Sequence, residues 1–225
     1  MSMGAYLIYF AVLLLLPLWA QSKVKNAYHK YSQVPTSTQL SGVEVARKIL
    51  DDNGLFDVAI EQTRGTLSDH YDPRKKVVRL SPDIYNGRSM AAAAVAAHEV
   101  GHAIQHAEKY AFLQFRTALV PVANLGSRMS FILIIAGLIM GLANLILFGI
   151  IFMAAAVLFQ LVTLPVEFNA SSRAMDQLIV TGIIRNEEER DTKKVLDAAA
   201  LTYVAAALIA VMELMRFVLI FLSND

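Results

Sequence analysis

The chain has 225 residues, 56% of them hydrophobic, above the roughly 45–50% usual in soluble domains. Its 20 basic and 19 acidic side chains are sparse and balanced, which excludes the basic patch or stripe of a nucleic-acid binder. The absence of cysteine excludes disulfide staples and thiolate metal ligands.

Residues 4–20 carry no charge and reach about the minimum length of a transmembrane helix. A secretory signal peptide would place basic residues before the apolar run, but the first three residues supply none. Lys23, Lys25 and Lys30 follow it instead. The expectation is an uncleaved anchor with the N-terminus outside and the chain from residue 23 in the cytoplasm.

Residues 21–128 are expected to form the cytoplasmic part, its main polar region ending at about 110. Leu40, Val43, Ala46, Ile49 and Leu50 recur at helical spacing, and Gly54 is a plausible stop. Residues 66–71 and 77–81 read as two short strands joined through Asp72-Pro73-Arg74. Lys75, Lys76 and Arg79 make this pair too charged for a buried central strand, so an exposed hairpin is predicted. Its free edge is where an extended peptide could add itself by backbone hydrogen bonds, although a merely decorative hairpin fits the pattern equally well.

The stretch that organises the chain is RSMAAAAVAAHEVGHAIQHA, from Arg88 to Ala107. It sets His98, Glu99 and His102 in the spacing H-E-x-x-H on one predicted helix. Four residues advance a helix by slightly more than a turn, so both imidazoles share a face and can hold one zinc ion. Glu99 is then placed to take a proton from a water on that ion. The bland reading is a surface helix with two unrelated histidines. The alanine-rich run-in argues against it, because it suits burial. Gly101 costs about 1 kcal/mol of helix propensity, so a close backbone approach is expected there. His106 continues the series, but a helix sets it about 12 Å from His98, too far to share an ion. It reads as structural.

Residues 109–128 read as an interfacial or loosely packed helix broken near Pro121. Residues 129–166 then carry no charged side chain. As one helix they would span roughly 57 Å, nearly two hydrocarbon cores of about 30 Å. Two spans are predicted, 129–143 and 145–164, with a reversal near Gly141 to Asn144. Residues 165–197 thus return to the side of His98 and His102, and 198–222 form a fourth span ending outside. Within that span Glu213 and Arg216 stand three apart and can pair. Packing or snorkelling explains them more simply than function does.

The third metal ligand must come from residues 165–197. Glu167 follows the third span directly, on a segment able to form a helix beginning near Pro165. It would complete the His₂Glu set of thermolysin-like zinc enzymes. Asp176 and Glu187 to Glu189 are rivals, the latter more simply a solvated face. Spacing alone leaves the choice open.

Three stretches, SDHYDPRKKVVRLSPDIYNGRS, AAHEVGHAIQHA and LPVEFNASSRAMDQL, resemble the YugP-type membrane zinc metallopeptidases, and the likeness extends over nearly the whole chain. The resemblance implies an integral-membrane, zinc-dependent protease with an arrangement similar to the HtpX and CAAX-prenyl-protease group. There a second helix supplies a glutamate in a pattern like E-x-x-A-D. This chain matches at Glu167 and Ala170 and has Ser171 in place of the Asp, so the outer partner of the metal histidines is not given by the likeness. Glu167 is favoured as third ligand on this ground.

These readings predict a mainly α integral membrane protein of about four transmembrane helices with a small cytoplasmic zincin-like α+β domain, residues 21–128, carrying a β-hairpin. The expected function is a zinc endopeptidase of the plasma membrane, with its site facing the cytoplasm. Zn²⁺ would be held by His98, His102 and Glu167, with Glu99 as general base. His70, Tyr71 and Arg173 are candidate oxyanion or substrate-binding groups. Expected partners are the lipid bilayer and protein or peptide substrates, membrane proteins among them, and a regulatory membrane partner or a second copy. Two rivals stand. An intramembrane protease would bury the motif in a long apolar span, which Arg88, Glu108 and Lys109 bracket too closely. A scaffold with structural zinc would close its site with a fourth protein ligand, often Cys, which is absent.

Overall fold

The computed structural model describes residues 3–223. The outside location expected for the chain ends concerns residues 1, 2, 224 and 225, which lie outside the described residues. In order the elements are α1 (Met3–Tyr31), α2 (Gly42–Asp52), β1 (Ala59–Gln62), β2 (His70–Asp72), β3 (Val77–Leu80), α3 (Pro82–Tyr85), α4 (Met90–Ala107), α5 (Ala111–Met140), α6 (Ala143–Val180) and α7 (Asn186–Ser223). The described fold is mostly helical, and α1, α5, α6 and α7 are long and apolar enough to cross a membrane. Two compact units divide the chain. One comprises residues up to Pro17, Ala111–Val166 and those from Tyr203; the other comprises Leu18–Tyr110 and Glu167–Thr202.

The second unit is built on an α/β core. Helix α2 starts where Glu44 accepts hydrogen bonds from the Ser41 amide and hydroxyl, and it stops before Gly54, whose φ of 71° suits glycine. Its buried face is Val45, Ala46, Ile49 and Leu50. The predicted Leu40 and Val43 lie at the half-buried margin. This face packs with Val78, Leu80, Ile84 and the alanines of α4. Ala91 to Ala94, Ala96 and Ala97 are buried, and Ser89 caps the helix by accepting from the Ala92 amide. Small side chains let neighbouring elements approach this helix closely.

The predicted hairpin forms as β2 and β3, but the sheet corrects its exposed, non-central reading. Its order is β1-β3-β2, with β3 parallel to β1 and antiparallel to β2. The charged strand is therefore central. Arg79 sits in register beside Glu61 and His70, and its guanidinium meets Glu61 at 3.0 Å and Asp72 at 3.1 Å. The charge forms a cross-strand ion-pair row on one face, while Val78 and Leu80 turn into the core. Strand β1, with only four residues including Glu61 and Gln62, left no strand pattern in the sequence.

The other unit is an antiparallel hairpin of α5 and the first part of α6, joined by the described part of α1 up to Pro17 and the last part of α7. Cβ atoms added at Gly137 and Gly149 would lie 2.8 Å from the Ile146 nitrogen and 2.9 Å from the Ile134 nitrogen. The two backbones touch there, as small residues permit in spanning helices. Ile134, Ile146, Ile150 and Phe217 form the local core. Helix α5 runs through Pro121 and α6 through Pro165, so neither the expected break nor the expected new helix start occurs. A proline costs one intrahelical hydrogen bond, and packing sustains the helix around it. Glu167 consequently lies well inside α6 and not in a first turn.

Candidate metal centre

Helix α4 presents His98 and His102 one turn apart, with ring centroids 4.8 Å apart and nearly perpendicular planes. Opposite them α6 brings Glu167, whose Oε2 lies 3.3 Å from His98 Nε2 and 3.5 Å from His102 Nε2. One donor atom from each residue falls within 4.8 Å of the others, so the three could hold a metal ion. Asp176 and Glu187 to Glu189 are not part of this group. Glu188 instead accepts from the Ser37 amide and hydroxyl and from the Arg185 amide. The helices meet closely because of Gly101: a Cβ there would lie 2.6 Å from the Ala170 carbonyl oxygen. This is the close approach its place in the motif implied.

The donor set fits zinc. The imidazoles turn Nε2 inward, and the outward Nδ1 atoms have partners. His98 Nδ1 lies 3.2 Å from the Ser171 hydroxyl, and His102 Nδ1 lies 3.0 Å from Gln105 Oε1. A ring that donates from Nδ1 keeps a lone pair on Nε2, as a metal ligand requires. Ser171 thus stands where the wider pattern has a carboxylate. Gln105 and Asn169 are the residues that sequence reasoning missed, whereas Ser171 was legible as the departure from the wider pattern. The only signal was polarity at positions three after His102 and two after Glu167.

Glu99 is buried, 8% exposed. Burial pushes its carboxyl up, against the opposing pull of His98 and His102, and Glu167 and Asp69 push it further up. Asp69 precedes β2 and accepts from the Ser81 amide and hydroxyl, so the start of β2 lies within electrostatic reach of Glu99. His70 is exposed, with Nδ1 2.8 Å from the Ser68 carbonyl oxygen. Tyr71 is half-buried, and burial pushes its phenol up to about 12; its hydroxyl lies 2.9 Å from His106 Nδ1. That contact gives His106 the structural place expected of it. Arg173 donates to Asn169 and pairs with Glu108 at 2.7 Å.

Four helices apolar enough to cross a membrane, with a His₂Glu group suited to zinc, are the marks of a multi-pass membrane zinc protein. The chain belongs to the family described as putative neutral zinc metallopeptidase, whose model matches residues 6–222. It is 56% identical over 209 residues, 93% of either chain, to the "Putative membrane protease YugP" of Bacillus subtilis (strain 168). No solved structure matches it.

Proposed function

We propose that this protein is a membrane-embedded zinc endopeptidase that hydrolyses peptide bonds at the cytoplasmic face of the membrane. The observation that carries the reading is the convergence of His98, His102 and Glu167, with the buried Glu99 beside two of the three. Zinc, when bound, supplies Lewis acidity to a water and to the scissile carbonyl. Glu99, buried beside the histidines, would take the proton of the attacking water and return it to the leaving amine. The candidates for donor to the developing oxyanion are His70, Tyr71 and Arg173. Strand β2 has one unpaired edge, which suits an extended peptide substrate.

The cytoplasmic placement rests on Lys23, Lys25 and Lys30 after the first apolar stretch. The zincin-like part would then comprise residues 21–128 with the segment 165–197 that carries Glu167. The test of activity is cleavage of an unfolded membrane-protein substrate by detergent-purified protein, with and without a zinc chelator. Chelator-resistant cleavage would remove the metal from the reaction. Orientation is tested by a single cysteine at Ser68, unique because the chain has none. Labelling by an impermeant maleimide is expected only after cells are opened, and labelling of intact cells reverses the topology.

A further inference from the structure

Beyond the three ligands, an unbroken line of polar groups leads from His102 to the protein surface. Gln105, fully buried, receives His102 on Oε1 and donates from Nε2 to Asn169 Oδ1 at 2.9 Å. Arg173 Nε donates to the same Asn169 oxygen at 2.7 Å, and Arg173 Nη2 meets the exposed Glu108 at 2.7 Å.

The direction of this line is fixed at its outer end. A guanidinium can only donate, so Asn169 must turn its oxygen toward Arg173. That oxygen then also faces Gln105, which must present its amide nitrogen. Gln105 is left with its carbonyl toward His102, and the ring must carry its proton on Nδ1. The lone pair falls on Nε2, facing Glu167. Reversing any one link sets donor against donor or acceptor against acceptor.

We infer that Arg173, through Asn169 and Gln105, is a positioning device that sets the tautomer of His102 and so the zinc affinity of the centre. The inference rests on the metal reading proposed above. Arg173 touches neither ligand ring and acts from the surface side of α6, held there by Glu108. Outer partners of metal histidines are worth about 10–100-fold in affinity, and this device extends that influence two residues further out.

The test is zinc affinity of the detergent-purified full-length chain, measured by chelator competition, alongside thermal unfolding of the zinc-free protein. Wild type is expected to bind about one zinc per chain. Gln105→Met and Asn169→Leu are each expected to weaken binding about 10–100-fold. Asn169→Asp, whose carboxylate can accept from both Gln105 and Arg173, should restore most of it. Cobalt-substituted protein should show an altered visible spectrum in the first two variants and a wild-type spectrum in Asn169→Asp. Wild-type zinc affinity in both weakened variants, even with lower unfolding temperatures, would make the line merely structural and overturn the inference. Should Gln105→Met fail to fold, the Asn169 pair decides the matter at a half-buried position. A folded wild type without zinc would sink the metal reading itself, an outcome distinct from the first.

Discussion

Two glutamates in this chain sit in apolar surroundings, and their neighbours treat them oppositely. Glu213, on the part of α7 within the hairpin unit, receives the Tyr9 hydroxyl at 2.5 Å and pairs with Arg216 at 3.2 Å. The Arg216 guanidinium in turn lies over the rings of Tyr9 and Phe217. Every group there brings a proton to the carboxylate, so the cluster is complete as it stands. Glu167 faces two Nε2 atoms: that of His102 keeps its lone pair because Gln105 accepts from its Nδ1, and that of His98 keeps one when its Nδ1 donates to the Ser171 hydroxyl. Three acceptors directed at one point repel one another unless a cation lies between them. What separates an ion pair from a metal site is thus where the neighbouring protons point, and burial or acidity alone does not reveal it.

The comparison breaks first at Glu99. Glu99→Gln should lower cleavage by about 10²–10⁴-fold, the usual worth of a general base, while zinc per chain stays unchanged. Cleavage at the wild-type rate would remove Glu99 from the mechanism. Next, Glu167→Ala should weaken zinc by more than the roughly 10–100-fold typical of an outer partner, whereas Asp176→Ala should leave metal content alone. Elemental analysis after dialysis distinguishes them, and the reverse result would relocate the third ligand.

Gly101→Leu sharpens the comparison by prying apart the two backbones that carry the ligands. It should destabilise the protein by about 1–3 kcal/mol, the usual cost of overpacking, and lower zinc affinity with it. Unaltered unfolding and metal binding would mean the close approach is unimportant. The smallest effect on metal is expected at the other glutamate. Glu213→Leu should leave zinc untouched yet lower stability more than the double change Glu213→Leu with Arg216→Leu, because it alone strands a charge. Unfolding measured for the single and double variants settles the order.

How much of this was legible follows from how local each feature is. His98, Glu99 and His102 follow from helical spacing within five residues. Glu167 needed the count of spans to bring it to the right side, and the resemblance to favour it over Asp176. The outer partners were hidden, because Gln105 and Asn169 gain meaning only when α4 and α6 touch. The centrality of β3 was hidden for a similar reason. The charge on Arg79 reads as solvent exposure until β1 and β2 supply Glu61 and Asp72 as partners, whereas Lys76, paired with Asp57, does stay exposed. The two helix-interior prolines mislead in the opposite sense, since Pro121 and Pro165 interrupt the pattern but not the helices.

The metal donors come from opposite halves of the chain: two on α4 and the third on α6, beyond the whole of α5. A ribosome releases the histidine pair well before it releases Glu167. The nascent chain therefore carries the histidine pair without its third donor, and the group that could hold a metal ion is assembled only after the α5–α6 hairpin has been made.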